Sequence, residues 1–541
     1  MSRHDPPSDT PDRQHPGLAR SASLAGAATL ASRVLGLVRE QILAALFGAS
    51  NEMDAFFVAF RIPNLVRDLF AEGAMSAAFV PTFTRQLTIH GKPAAWRLAN
   101  NVLNALLVVT LTLVVAGLLF TRPLVTLYAG DYASVPGKLE LTIRLTRVML
   151  PYLVTVAVAA VAMGMLNSLH HYFVPAISPA MFNVATIVCA IVLVPVMPAM
   201  GLPRIMAIAV AVLFGGLGQI LVQWPALRRE GFRYSPVIDL RDKALRHVVV
   251  LMGPGTIGLA ATQINIFVST LLATSQGTGA VSWLTYAFRL IYLPIGLFGV
   301  SIATAALPSV SRHAAVDDLA GIRRTISRGL AMMLMLNVPA TLGLIVLARP
   351  IVELLYERGR FTAADTGATA AALRLYAVGL VGYSAARIIS PTFYALRQSQ
   401  TAVAVSVATI TGNVLFSISL VTWMGFRGLA LATSIAALGN GGLLVVLLRR
   451  RLKGIEGERL AIVLTKVLVA AATMAIAAWG IEYVMTELLP GRQILLRGVR
   501  LVTAIGGGLV VLAVAAKLLR IEEFEDALGL ARGNLSKNQE K

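Results

Sequence analysis

The sequence predicts an all-α polytopic membrane protein with about fourteen transmembrane helices. The 541 residues are 57% hydrophobic and only 14% charged, with a mean hydropathy of +0.74. A soluble protein of this length would need more polar surface. Apolar runs of about 20 residues, the length that crosses a bilayer, recur along the chain between polar breaks. Most of the charged residues lie in these breaks, which is typical of membrane proteins.

The apolar runs define the predicted spans in chain order. They lie at 24–47, 54–84, 99–121, 145–168, 176–198, 204–226, 247–272, 279–308, 329–348, 369–395, 401–424, 427–448, 461–486 and 497–518. The second and eighth spans are long and contain prolines, so we expect them to be bent or partly broken. Residues 1–20 lack an apolar core and are expected to form a disordered cytoplasmic tail, not a signal peptide. Residues 521–541 are expected to form a second cytoplasmic tail.

The basic residues predict the orientation of the chain. The net charge is +20, which in a soluble protein would suggest nucleic acid as a partner. Here the basic residues concentrate in loops after even-numbered spans, so the positive-inside rule explains them and places both termini in the cytoplasm. No nucleic-acid partner is expected. The single cysteine, Cys189, excludes an internal disulfide and a cysteine metal site. We expect no metal and no cofactor.

A sequence repeat divides the chain into two halves. Four pairs of positions recur at a spacing of 227 to 230 residues: Arg85 with Arg312, Phe60-Arg61 with Phe288-Arg289, Arg147 with Arg374, and Asn183 with Asn413. This spacing predicts a duplicated six-helix unit. Because six is even, both copies enter the membrane from the same side, which is typical of transporters with parallel repeats. The predicted lobes are 21–230 and 245–450. The two extra helices at 460–520 are an added surface that would suit a lipid tail.

Charged residues inside the spans predict a binding site. Charge at bilayer depth costs about 3 kcal/mol per residue and usually faces a cavity. The predicted anion-binding cations are Arg33, Arg39, Arg67 and Arg289, since guanidinium groups suit phosphate. Further residues are expected to line or gate the cavity: Ser32, Glu40, Asp54, Arg61, Asn64 and Glu72. The alternative is that the arginines only pair with carboxylates and hold helices together, as Arg61 could with Asp54 or Asp68.

Eight segments of the chain resemble the MurJ (MviN) family of bacterial lipid II flippases: 31–40, 54–67, 70–74, 78–81, 281–290, 296–300, 307–308 and 359–362. The resemblance covers residues 22–520. It implies the fold of the multidrug/oligosaccharidyl-lipid/polysaccharide exporter superfamily. It also implies a transporter, not an enzyme, that moves lipid II from the inner to the outer leaflet of the cytoplasmic membrane by alternating access. Lipid II is the undecaprenyl-pyrophosphate-linked precursor of peptidoglycan.

The resemblance also assigns parts of the molecule. It implies that Arg33, Arg39, Arg67 and Arg289 bind the pyrophosphate and that the last two helices form a groove for the lipid tail. The implied partners are lipid II, membrane lipids and proteins of cell-wall synthesis. Phe288 and Tyr292 depart from the family, because some members have acidic residues there. This chain therefore lacks the acids to which ion coupling would be attributed.

Three other functions remain open at this stage. A multidrug/cation antiporter of the same superfamily should present acidic residues to its substrates, whereas this cavity is mainly basic. An exporter of another polyprenyl-pyrophosphate-linked oligosaccharide would need the same cations. A membrane enzyme acting on polyprenyl phosphates would need an acidic metal cluster, and the only aspartate pair, Asp317-Asp318, lies in a basic loop.

Overall fold

The computed structural model describes residues 16–68 and 75–525, with the backbone alone described at some positions, including 254–261. This part of the chain folds into α-helices joined by short turns and contains no strand. The helices are α1 (Pro16–Phe47), α2 (Asn51–Arg67), α3 (Met75–Leu119), α4 (Thr121–Ala129), α5 (Lys138–Met149), α6 (Tyr152–Ser168), α7 (Phe173–Val192), α8 (Met206–Arg229), α9 (Lys243–Thr274), α10 (Ala280–Pro294), α11 (Val300–Ala315), α12 (Leu319–Val346), α13 (Ala348–Tyr356), α14 (Ala363–Val378), α15 (Leu380–Ala395), α16 (Ser399–Met424), α17 (Phe426–Arg451), α18 (Gly457–Leu488) and α19 (Ile494–Leu518).

The predicted spans fall on these helices. Within the described residues, ten helical segments are long and apolar enough to cross a membrane, and α14 with α15 makes an eleventh if this pair, bent by 43°, is one span. The first, second and seventh predicted spans fall on α1, α2 and α9, which are not among the eleven. α1 and α2 carry the charges of the predicted site, and α2 has only 17 residues. The all-helical, multi-span fold class is confirmed.

The expected break in the eighth span is present. After Pro294 the helix widens into a π-helical turn at Ile295–Gly299 before α11 continues. Proline has no N–H to donate and disturbs the preceding turn, which explains the break. The second predicted span begins on α2, which contains Pro63, and its remainder runs through residues 69–74, outside the described residues, into α3. Its expected bend is therefore only partly described.

By their internal contacts, the residues group into two compact units. The first unit contains the described residues up to Ile42, with Phe60–Thr121 and Leu145–Ile257. The second contains Leu43–Ala59, Arg122–Arg144 and the chain from Gly258 onward. The second unit thus includes two segments from the first half of the sequence. Contact grouping and sequence duplication are different criteria, so the predicted lobe boundaries stay a prediction.

The two terminal tails are only partly within the described residues. α1 begins at Pro16, inside the predicted N-terminal tail, and residues 522–525 are helical. Residues 1–15 and 526–541 lie outside the described part. Those expectations of disorder therefore stay predictions.

The repeated asparagines make matching contacts in the two units. In the first unit, Asn183 of α7 donates to the carbonyl oxygen of Ser32 on α1 at 3.0 Å. In the second, Asn413 of α16 donates to Asn265 Oδ1 on α9. α1 and α9 are the first helices of the two sequence repeats. In both predicted repeats, the asparagine thus joins the fifth predicted span to the first.

Candidate functional site

α1 carries two of the predicted cations on different surfaces. Arg33 is exposed and forms no ion pair with any other described residue. Arg39 is largely buried, with a side chain 12% exposed, and pairs with the 4% exposed Glu40 beside it. Partial burial of a charge requires a partner, and Glu40 supplies it from the next position in the sequence.

An aromatic ring supports the Arg39 guanidinium. Its Cζ lies 5.4 Å from the centroid of the Phe182 ring on α7, within the range of a cation–π interaction. The Nε of Arg39 is buried and has no hydrogen-bond partner among the described residues. The side chain is therefore held in place while part of its hydrogen-bonding capacity stays unused.

Arg67 ends α2 in a similar arrangement. Its Nε and Nη2 donate to Oδ1 of the adjacent Asp68, at 3.1 and 2.8 Å. Asn64 donates to the other carboxylate oxygen of Asp68 at 3.2 Å. The Tyr152 side chain, at the start of α6, also interacts with Arg67. Two carboxylate contacts and a tyrosine contact thus fix the orientation of this guanidinium group.

Three aromatic rings join the surroundings of the two arginines. The Phe60, Tyr152 and Phe182 rings lie 5.8 to 6.1 Å from one another between centroids. We call Arg39, Arg67 and these three rings the arginine–aromatic cluster. All five belong to the first unit. The structure therefore brings together two of the four predicted cations.

Asp54 lies in a different environment, inside the second unit. Its carboxylate is fully buried and accepts four hydrogen bonds. Oδ2 accepts from Lys138 Nζ at 2.9 Å and from Gly279 N at 2.7 Å. Oδ1 accepts from the N and Oγ of Ser282, at 3.1 and 2.7 Å. We call Asp54, Lys138, Gly279 and Ser282 the Asp54 cluster.

Helix geometry explains why a carboxylate is stable at this position. Gly279 is the N-cap of α10 and has a φ of +91°, where a Cβ atom would lie 2.6 Å from the Trp283 ring. The first N–H groups of a helix have no internal partner and carry partial positive charge, so they favour an anion. Lys138, whose side chain is 1% exposed, neutralises the remaining charge. Asp54 therefore forms a closed contact, and its expected role in lining or gating the cavity stays a prediction.

The possible pairing of Arg61 with Asp54 or Asp68 is not present. Lys138 is the cation that pairs with Asp54, and Arg67 is the one that pairs with Asp68. Arg61 is half-buried and makes no ion pair with another described residue. The sequence of α2 alone does not show which residue of another helix meets Asp54, and α5 supplies that residue, Lys138.

The remaining predicted positions lie elsewhere. Arg289 is exposed on α10, in the second unit. The two positions where some family members have acids belong to an aromatic cluster, in which the Phe288 ring lies 5.0 Å from Tyr292 and 5.1 Å from Tyr376. Glu72 lies outside the described residues.

Sequence reasoning missed Lys138, Ser282, Tyr152 and Phe182. Lys138 lies seven residues before the predicted span 145–168 and looks like an ordinary loop charge. Ser282 had a detectable signal, because it lies 228 residues after Asp54, the same spacing that separates the repeated Phe-Arg pairs. Tyr152 and Phe182 resemble ordinary core aromatics in sequence, and only the fold brings them to the arginines.

A family model and sequence relatives both match this chain, and they carry the same family name. Residues 43–497 match the family model described as lipid II flippase MurJ. A probable lipid II flippase MurJ of Bdellovibrio bacteriovorus is 35% identical, over 90% of this chain and 92% of that protein. A lipid II flippase MurJ of Burkholderia cenocepacia is 35% identical over 78% of this chain and 82% of its own.

Solved structures give the same result for the fold. A lipid II flippase MurJ in an inward closed conformation has a TM-score of 0.74 and 26% identity, and the match covers 92% of this chain and 99% of that one. An inward-facing MATE-family multidrug transporter shares the fold, with a TM-score of 0.65 and 17% identity over 81% of this chain and 99% of that chain. From the family model and the relatives together, the chain belongs to the MurJ family of lipid II flippases.

Proposed function

We propose that this chain translocates lipid II from the inner to the outer leaflet of the bacterial cytoplasmic membrane by alternating access, for cell-wall synthesis. It is a multi-pass inner-membrane transporter, not an enzyme, as its family and its many apolar helices indicate. The observation that carries the choice of substrate is the arginine–aromatic cluster, which holds two guanidinium groups in a helical membrane protein. Translocation needs no bond to be made or broken.

The pyrophosphate of the substrate would bind Arg33, Arg39, Arg67 and Arg289. Arg33 and the Arg39 Nε retain hydrogen-bonding capacity, and guanidinium groups bind phosphate oxygens in charge-assisted pairs. Glu40 and Asp68 limit the repulsion between cations while the site is empty. Substrate binding would remove the rest of that repulsion, and this change would favour closure around the headgroup.

The Asp54 cluster would close the outer side of the transport path. It joins α2 and α5 from the first half of the sequence to α10 from the second. Opening to the outside would require the three hydrogen bonds from Gly279 and Ser282 to Asp54 to break. Alternating access requires a contact that is either formed or broken, and a buried contact of this kind has these two states and no gradual opening.

The last two helices would hold the lipid tail. α18 and α19 pack along each other, and α18 also packs on α12. Large apolar side chains on α19 remain exposed, including Leu495, Val502, Val510 and Leu518. An apolar surface of this kind, in a helix long enough to span a membrane, suits a polyprenyl chain.

The experiment that tests the function is the leaflet location of lipid II after depletion of this protein in its host. An externally added enzyme that cleaves only outward-facing lipid II reports the location. We expect lipid II to accumulate and to become protected from cleavage. If it stays accessible at normal levels, the substrate is another polyprenyl-pyrophosphate-linked oligosaccharide. Arg33→Ala and Arg289→Ala variants that support full growth would refute the role of these cations.

We also propose that both termini are cytoplasmic. The basic residues in the loops after even-numbered predicted spans support this orientation. Because Cys189 is the single cysteine, its replacement allows new cysteines to be labelled one at a time. In a Cys189→Ala background, Ser275→Cys should react with a membrane-impermeant maleimide in intact cells. Ala315→Cys should react only after the membrane is permeabilised. The reverse pattern would invert the orientation.

A further inference from the structure

Two consecutive glycines on α8 lie close to two side chains of the arginine–aromatic cluster. A Cβ atom at Gly215 would lie 2.7 Å from Cδ2 of Phe182. One at Gly216 would lie 2.1 Å from Oγ1 of Thr155 and 2.9 Å from Cδ2 of Tyr152. Real Cβ atoms do not come this close, so the glycines let the α8 backbone pack tightly against both aromatic side chains and against Thr155.

Each of the two side chains also neighbours a cation. The Arg39 guanidinium lies 5.4 Å from the centroid of the Phe182 ring, and the Tyr152 side chain interacts with Arg67. Tyr152 has no exposed surface, so its hydroxyl cannot obtain a hydrogen bond from water. A buried hydroxyl without a partner is costly. A phenylalanine would fill the same space without that cost, so the hydroxyl is explained by its contact with Arg67.

An arginine needs such support if it is to bind a phosphate group tightly. Its long side chain loses up to about 2 kcal/mol of rotamer entropy when it is immobilised. A side chain already fixed by neighbouring groups has lost that entropy before the ligand arrives, which raises affinity. Glu40 and Asp68 fix one side of each guanidinium group, and the two rings fix another.

We propose that Tyr152 and Phe182 are positioning residues for the anion site: the Tyr152 hydroxyl orients Arg67, the Phe182 ring supports Arg39, and Gly215-Gly216 keeps both rings in place. This inference rests on the proposed function, because it assumes that the two arginines bind the pyrophosphate. It adds the prediction that the chain discriminates between polyprenyl pyrophosphate and monophosphate through these aromatic groups. Two fixed guanidinium groups can each bind one phosphate group of a pyrophosphate, whereas a monophosphate offers a single phosphate group.

The test measures the affinity of the purified full-length protein for undecaprenyl pyrophosphate and for undecaprenyl phosphate. Tyr152→Phe should weaken binding of the pyrophosphate about tenfold and binding of the monophosphate less, so that the ratio of the two affinities falls. Phe182→Leu should weaken pyrophosphate binding about threefold. Phe182→Tyr keeps a ring under Arg39 and should restore wild-type affinity.

A matched control separates positioning from packing. Tyr383→Phe removes one hydroxyl from a half-buried tyrosine of α15, in the second unit. Its two affinities should equal those of the wild type, and its Tm should change no more than that of Tyr152→Phe. In a double variant, Tyr152→Phe should add no further loss to Arg67→Ala, because the hydroxyl acts only through that arginine.

Each possible outcome decides the question. Wild-type affinity for both lipids in Tyr152→Phe overturns the inference while leaving the site intact. An equal loss for both lipids, with a lowered Tm, assigns Tyr152 to packing alone and also overturns it. If Arg67→Ala itself leaves both affinities unchanged, the proposed anion site fails together with the inference. If the wild-type protein binds neither lipid, the proposed function fails first.

Discussion

Two buried charges of this protein are held in opposite ways. The Asp54 carboxylate accepts four hydrogen bonds, all from the chain itself, and has no exposed surface. Arg39 pairs with its own neighbour Glu40, stands over the Phe182 ring and keeps a buried Nε without a hydrogen bond to another described residue. Both side chains lie on the first two helices, yet only the carboxylate has its hydrogen-bonding capacity filled.

The difference separates a structural charge from a binding charge. A fully bonded buried ion stabilises one arrangement of helices and has little left to offer a ligand. A cation that is fixed but incompletely bonded is stable enough to persist. The free energy falls when an anion binds it and fills its remaining hydrogen-bonding capacity. Substitutions in the Asp54 cluster should therefore act on stability, and substitutions of the arginines should act on binding.

The largest expected effect is that of Asp54→Asn. The amide cannot neutralise Lys138, whose side chain is 1% exposed, and an unpaired buried charge costs about 3–5 kcal/mol. We expect a fall of that size in the free energy of unfolding, measured by denaturant or thermal unfolding in detergent. The double variant Asp54→Asn/Lys138→Met should recover part of the loss. Equal stability of the single and double variants would contradict the assignment.

Gly279→Ala should have the next largest effect. At a φ of +91°, a Cβ atom would meet the Trp283 ring and the carbonyl oxygen of Ala49. Left-handed strain and the overlap together should cost about 2–3 kcal/mol. Gly277 also has a positive φ, of +87°, but no neighbour within 4 Å of the added Cβ atom. Gly277→Ala is the matched control for strain without overlap and should lose less stability.

Ser282→Ala should cost less, because it removes one of four hydrogen bonds and leaves the backbone N–H of residue 282 in place. A hydrogen bond to a charged group contributes about 1.5–3 kcal/mol, and we expect a loss near the lower end. The same unfolding measurement applies. Ser275→Ala, at an exposed hydroxyl bonded only within its own turn, should leave stability unchanged.

The smallest expected effect on stability is that of Arg67→Gln. This variant tests whether Arg67 is a binding charge and not a structural one. The side chains of Arg67 and Asp68 are 28% and 23% exposed, so solvent screens the pair and its loss should cost about 1 kcal/mol or less. Growth supported by this variant in a depleted host should nevertheless fail. A stability loss as large as that of Asp54→Asn would show that Arg67 is a structural charge as well.

Much of this architecture could be predicted from the sequence. Apolar runs predicted most of the membrane-spanning helices, because a bilayer requires lengths that are visible in composition. Within the described residues, ten or eleven helical segments are long and apolar enough to cross a membrane. The break at Pro294 followed from proline chemistry. The partners of Asp54 could not be predicted, because the helical wheel of α2 describes one helix and Lys138 comes from another. For the same reason, Phe182 became a neighbour of Arg39 only once α7 was placed beside α1.

The contact between Asp54 and Ser282 also has a consequence for the predicted repeat. Asp54 and Ser282 are 228 residues apart, which is the spacing of the predicted repeat, and they meet each other. In a homodimer of identical six-helix chains, the same residue would face itself: aspartate against aspartate would repel, and serine against serine would leave no ionic contact. In a single chain the two positions differ, so a carboxylate can meet a hydroxyl donor there.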